Sequence, residues 1–296
     1  MKKAIFILVL IFSLLLCSCG DIIPEISIPN FSIPEVSEEV SVEESDDESL
    51  TPDFSGKLGS ATTITDGTVI VSVFADDKTT SWADADEFKG EMLKNLGIGA
   101  AWLTESIADF DAEAKFYCAE STQSDLVYTV DFDEEMVRFD GEMYSTQRQY
   151  ILENIDSEAL LTKYGAKNII YAFFFNTELE NEVNPWTLAY TGEGTCDVEI
   201  IDVFCRFDNI VCPPASLAHE VLHCFGAHDL YYASDAIPQE FVDYCVSSES
   251  NDIMYTVNMG DEITSVLTEL AAYYVGLVDS CELVDEWKLA KSEHIG

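Results

Sequence analysis

Apolar residues along the chain follow two spacings. Residues 68–74 (TVIVSVF) and 168–175 (NIIYAFFF) are runs rich in β-branched and aromatic residues, which predict buried strands. Residues 115–119, 126–131, 187–191 and 198–206 read as further strands. Residues 83–110 instead carry apolar side chains at helical spacing (Phe88, Met92, Leu96, Leu103, Ile107), with Gly97 and Gly99 expected to divide or kink the helix. Residues 143–164 predict a second long helix with Tyr150, Ile151, Ile155, Leu160 and Leu161 near one face, and 263–277 a third helical segment. This order of strands and helices argues an α/β layered domain. No period of 20–50 residues recurs, which argues against a repeat architecture.

The first residues differ from all of this. Lys2 and Lys3 precede an apolar run over 4–16, and at ~1.5 Å per residue that run is too short for a ~30 Å hydrocarbon core. It fits a secretory signal peptide. The run ends in Leu16-Cys17-Ser18-Cys19-Gly20, which resembles a bacterial lipobox. That resemblance implies a signal peptide over 1–18, lipidation of Cys19, and an exported protein lipid-anchored to the membrane at the bacterial cell surface. Residues 21–56 hold 11 carboxylates and no Lys or Arg. Such a segment buries too little apolar surface to offset its ordering entropy, so 19–56 is expected to be an extended acidic tether rich in Ser, Glu and Pro. The folded domain is expected over 57–296.

Charge removes whole classes of function. The 296 residues contain 56 Asp+Glu against 14 Lys+Arg, a formal net charge of −42. Nucleic-acid binding and polybasic adhesion to anionic lipid both need a cationic surface, and both are excluded. With 48% hydrophobic residues the chain can still build a core. Residues 57–296 keep 45 acids and 12 bases, for a net charge of −33.

The chemistry concentrates in residues 218–229 (AHEVLHCFGAHD). On a helix entered through Pro213-Pro214, His219 and His223 are an i,i+4 pair whose imidazoles can converge on one ion. Glu220 lies one position on, placed to take a proton from a metal-bound water. Gly226 can take positive φ and end the helix. The chain can then turn back, so either His228 or Asp229 can supply a third ligand, leaving the fourth zinc position open as catalytic sites require.

These residues resemble the zinc signature HExxHxxGxxH of the metzincin metallopeptidases. His219, Glu220, His223 and Gly226 match its first four fixed positions, and Asp229 stands where the last His belongs. Snapalysin-like members carry Asp there, so the resemblance implies zinc ligands His219, His223 and Asp229, with His228 the alternative third ligand. Residues 251–255 (NDIMY) are similar to a Met-turn, with Met254 implied as the apolar floor of the site. Tyr255 follows that Met directly, as in matrixins, and Thr256 stands two places after it, so no tyrosinate ligand is implied. The subfamily therefore lies between snapalysin-like and matrixin-like. The resemblance implies a metzincin-like catalytic domain, a twisted mixed sheet with an active-site helix and a C-terminal helix. It also implies a zinc endopeptidase with Glu220 as general base and a protein or peptide substrate laid along an edge strand, for which 186–191 is the candidate. Competing readings are a non-catalytic surface lipoprotein that grips a peptide or glycan, and a zinc hydrolase of cell-wall peptides.

Seven further cysteines (118, 196, 205, 212, 224, 245 and 281) suit disulfides in an exported protein, although seven is odd. The acidic runs 84–87 and 131–135 could offer oxygen ligands to Ca²⁺, but neither has a calcium-loop spacing, and both read better as solvated faces. His294, close to the C-terminus, reads as a surface residue.

Overall fold

The computed structural model describes residues 61–83, 85–136, 141–178, 187–190, 198–207 and 210–295. All of them belong to one compact unit, Leu50–Gly296. The leader, the Cys19 motif and the tether lie outside the described residues, and no helix among those described is long and apolar enough to cross a membrane.

The chain runs β1 (Thr68–Asp76), α1 (Asp86–Ala108), β2 (Phe116–Tyr117), β3 (Val127–Asp131), α2 (Gly141–Asn154), α3 (Ser157–Tyr164) and β4 (Asn168–Glu178). It continues through β5 (Thr187–Tyr190), β6 (Glu199–Phe207), β7 (Ile210–Val211), α4 (Pro214–His223), α5 (Gln239–Ser247), α6 (Glu269–Tyr274) and α7 (Glu282–Trp287). This is a mixed α/β fold. Its seven-stranded sheet has the order β2-β1-β4-β6-β5, with β3 also on β1 and β7 also on β6. The β1, β2, β3, β4 and β6 pairings are parallel, while β5 and β7 run antiparallel to β6.

Parallel strands need crossovers, and crossovers place helices on the sheet faces, so the central strands must be apolar on both sides. The two apolar runs answer that need, forming β1 and β4, the buried centre. Side chains alternate between the faces. Phe174 stacks on Phe74, and Trp82 Nε1 donates to Phe174 O at 2.9 Å on the side of α1. Phe173 meets Tyr150 of α2, and the Tyr171 hydroxyl meets Ser157 of α3 on the other side.

Three expected elements differ. Helix α1 runs unbroken through Gly97 and Gly99. Gly99 serves close packing, since a Cβ there would lie 3.1 Å from Pro214 O and 3.6 Å from Ala218 Cβ of α4. The expected helix over 143–164 is two helices, because the Asp156 side chain accepts from Ala159 N at 3.0 Å and caps α3 afresh. Of the expected helix 263–277, α6 keeps only the end. Val266 instead exchanges backbone hydrogen bonds with Asn251 and Ile253 at 2.9 Å, and Thr268 caps the helix. Cys118, Cys212, Cys245 and Cys281 are free thiols, so the expected disulfides are not found at these cysteines. Burial pushes the Cys245 thiol up to about 11 and so keeps it protonated.

Asp202 of β6 is fully buried on the α2 side of the sheet, in register with Phe173. Its Oδ1 accepts from Gln147 Nε2 at 2.5 Å, which leaves Asp202 Oδ2 and Gln147 Oε1 without partners. One proton resolves both, since an Asp202 O–H can donate to the amide oxygen and close an acid–amide pair. Burial is the main force raising this carboxyl to about 8; the Gln147 bond opposes it and the Glu220 charge adds to it. A raised carboxyl stabilises the fold below its ordinary value of 3.8 and loses that contribution as pH rises through about 8. Asp202→Asn keeps an amide pair without the titration. Its melting temperature, measured by calorimetry from pH 4 to 9, should overtake that of the wild type at the alkaline end; parallel curves would refute the neutral acid.

Candidate metal centre

Helix α4 begins with Pro214 at its first turn, where a missing N–H costs nothing, and the side chain of Asn95 on α1 donates to Cys212 O just before it at 2.9 Å. Its end is a Schellman turn: Ala227 N donates to Leu222 O at 3.2 Å, and Gly226 N to His223 O at 2.9 Å. Gly226 has φ 92°, open to glycine at no steric cost. This turn delivers Ala227 O to His223 Nδ1 at 2.7 Å.

His219 has the matching partner from elsewhere in the chain, since its Nδ1 lies 2.9 Å from Ile253 O. A carbonyl oxygen only accepts, so each ring carries its proton on Nδ1, and both Nε2 atoms present lone pairs. Those Nε2 atoms are 3.0 Å apart. Asp229 Oδ1 lies 3.1 Å from one and 3.2 Å from the other, buried and without a hydrogen-bond donor. Three ligand atoms thus face one point, an arrangement that one cation satisfies together and that otherwise needs an extra proton on a ring Nε2, donated to Asp229. Their chemistry, two imidazoles and one carboxylate, suits zinc. Among the described residues this is the one group of His, Cys, Asp and Glu whose ligand atoms gather within 4.8 Å.

The titrations reflect the same need for positive charge. Burial works against a charged His223, yet the hydrogen bond and charge of Asp229 raise it to about 9. Burial likewise works to raise Asp229, but its contacts with His219 and His223 hold the carboxyl well below the usual range.

His228 does not join the group. Its ring stands edge-on to Tyr274, 4.7 Å between centroids. Glu220 is buried on α4, and its charge acts on His223 and Tyr231. Met254 is buried, and the contacts that reach the site from its turn are backbone ones: Ile253 O to His219, and Met254 O, which accepts from Leu230 N at 2.9 Å beside Asp229. Asp252 shapes that turn, accepting from Met254 N at 2.7 Å and bonding the Thr268 hydroxyl that caps α6. Strand β5 ends the sheet, antiparallel to β6 and next to α4. The rest of the candidate substrate strand, residues 186 and 191, lies outside the described residues. Both acidic runs meet lysines, Asp86 with Lys89 at 2.9 Å and Glu134 with Lys78 at 2.6 Å.

The sequence motif left one neighbour of the site unremarked. Tyr231 stacks on His219 with centroids 6.3 Å apart, beside Asp229. Burial first, then the charges of Asp229 and Glu220, push its hydroxyl far above its usual 10, so it stays a donor. The Tyr231-Tyr232 pair that begins two places after Asp229 was the available signal. His294 corrects the expected surface residue: it is half-buried, with Nε2 2.8 Å from Phe225 O.

No protein-family model matches the chain. No curated protein matches it either. Among solved structures, it resembles metalloproteinase-II from Bacteroides fragilis at 12% identity and a TM-score of 0.36, over 76% of this chain and 56% of that one. It also resembles a chain from a chaperone-substrate complex at 14% identity and a TM-score of 0.29, over 58% of this chain and 26% of that one. The chain thus spans just over half and about a quarter of those two chains. Both likenesses are distant, and the functional reading rests on the site.

Zinc titration with a competing chelator should find one ion per chain. His219→Ala and Asp229→Ala should each weaken binding by more than the ~10–100-fold typical of an outer-shell change, while His228→Ala should leave it intact. Full affinity in Asp229→Ala with loss in His228→Ala would reverse the assignment of the third ligand.

Proposed function

We propose that the chain is a metzincin-like zinc endopeptidase, held at the bacterial cell surface by a lipid on Cys19 and the acidic tether. The observation that carries this reading is the convergence of His219, His223 and Asp229 on one point, with Glu220 buried on the same helix. A module that only binds has no use for Glu220.

His219, His223 and Asp229 would hold the ion. Zinc, when bound, supplies a Lewis acid that polarises the scissile carbonyl and acidifies the attacking water. Glu220 takes the proton from that water and returns it to the leaving amine. The Tyr231 hydroxyl, held protonated beside the Asp229 and Glu220 charges, donates to the carbonyl oxygen as negative charge develops there. An extended substrate adds to the sheet along β5, where main-chain hydrogen bonds give affinity without demanding a particular side chain.

Charge narrows the substrate. Residues 207–287, which carry the whole metal centre, contain 15 acids and no Lys or Arg. Their field draws cationic peptides in and repels acidic ones, and salt screens both effects.

The deciding experiment is cleavage of an unfolded protein with the sites mapped by mass spectrometry. Cleavage should stop on chelation. Glu220→Gln should lower kcat by ~10²-fold or more and Tyr231→Phe by ~10²-fold, both with zinc still bound. A Glu220→Gln variant that cuts at the wild-type rate would sink the mechanism, and cleavage of cell-wall peptides alone would move the substrate to that class. Lys-rich peptides should be cut faster than their Glu-rich counterparts, with the gap closing as salt is added.

A further inference from the structure

Residues 288–295 fold back as a strap against α6 and the end of α4. After α7 and Lys288, Ala290 N donates to Ala236 O at 3.0 Å, and Ala290 O accepts from the Tyr274 hydroxyl at 3.2 Å. Ser292 is buried; its Oγ donates to Tyr274 O at 3.1 Å, and its N–H donates to the Tyr273 hydroxyl at 3.2 Å. Ser292 Oγ also accepts from His294 N at 3.2 Å, which aims the imidazole inward.

His294 Nε2 then lies 2.8 Å from Phe225 O. Carbonyls at the end of a helix have no partner within the helix. Phe225 is fully buried inside the Schellman turn of α4, so its carbonyl needs a donor from outside, and His294 is the donor. The neighbouring backbone leaves the ring its space. At Gly276, where φ is 77°, a Cβ would come within 2.8 Å of His294 Cγ. Gly276 follows α6, and α6 is capped by the Thr268 that bonds Asp252 of the turn holding His219. The strap therefore joins both backbone supports of the imidazoles: the turn that offers Ala227 O to His223, and the α6 side that sets Ile253 O for His219.

We propose that His294 is a positioning residue for the metal centre. By satisfying Phe225 O it fixes the turn of residues 225–227, and with it the Nδ1 partner of His223 and the start of the segment that carries Asp229. This rests on the reading of the centre as a zinc site. The tail thus acts as an outer shell to the ligands from 65 positions beyond Asp229.

The test uses the full chain with His294→Phe, which keeps a ring against Gly276 but loses the donor, and His294→Gln, which keeps an N–H. Zinc affinity is read by chelator competition, and the fold by melting of the metal-free protein. Expected is a ~10–100-fold weaker zinc affinity in His294→Phe at a near-wild-type melting temperature, with most of the affinity restored in His294→Gln. Wild-type affinity in His294→Phe, whatever its melting temperature, would reduce the strap to a structural element. Equal losses in both variants would also overturn the role given to the N–H. A wild-type chain that binds no zinc would be a failure of the zinc reading itself, seen before any variant is made.

Discussion

Two N–H groups that must each find a carbonyl oxygen set the form of this protein's candidate site. An imidazole offers a lone pair in a fixed direction only when its other nitrogen is held as a donor. His223 takes its acceptor from the turn four residues on, at Ala227, and His219 takes its own from Ile253, 34 positions away. The first acceptor exists because Gly226 lets α4 close in a left-handed turn. The second exists because Asp252 folds residues 252–256 back on themselves and ties them to the cap of α6. Remove either support and a lone pair swings off the common point that Asp229 Oδ1 shares.

The sheet supplies the rigidity those bonds require. β1 and β4 are buried on both faces, and α1 presses on α4 at Gly99 closely enough to fix the depth of the ligand helix. In this interior Asp202 and Gln147 are matched to one another. Most of the acids in the described residues are exposed, where they govern solubility and encounter and not fold. The acids placed within the described fold are few, among them Glu220, Asp252 and Asp202, which are buried, and Asp229, which faces the two imidazoles.

Legibility followed the range of the physics. The two apolar runs, the paired histidines one helical turn apart, and the glycine that ends their helix express local rules, in which spacing alone settles which residues share a face. They were readable. So were the strand positions, because a strand buried on both faces has little choice of composition. The breaks were harder. Gly97 and Gly99 looked like a kink, yet the helix runs through both and Gly99 admits a neighbouring helix, and residues 263–268 have helical spacing but pair with the 251–253 turn. In each case a partner distant in the chain decided between two conformations that local preference left nearly equal.

The same division runs through the site. The sequence by itself determined the donor types, their order, and a carboxylate three places after a helix-ending glycine, because a short turn leaves little freedom in where the next residues fall. Choosing Asp229 over the adjacent His228 took the tertiary structure, since that choice depends on Tyr274 engaging the His228 ring. The place of Tyr231 over His219, the acceptor at Ile253, and the reach of His294 to Phe225 were likewise decided only by the folded chain. Such contacts join segments tens of residues apart, and no spacing along the chain encodes which carbonyl will lie 2.8 Å from a ring nitrogen.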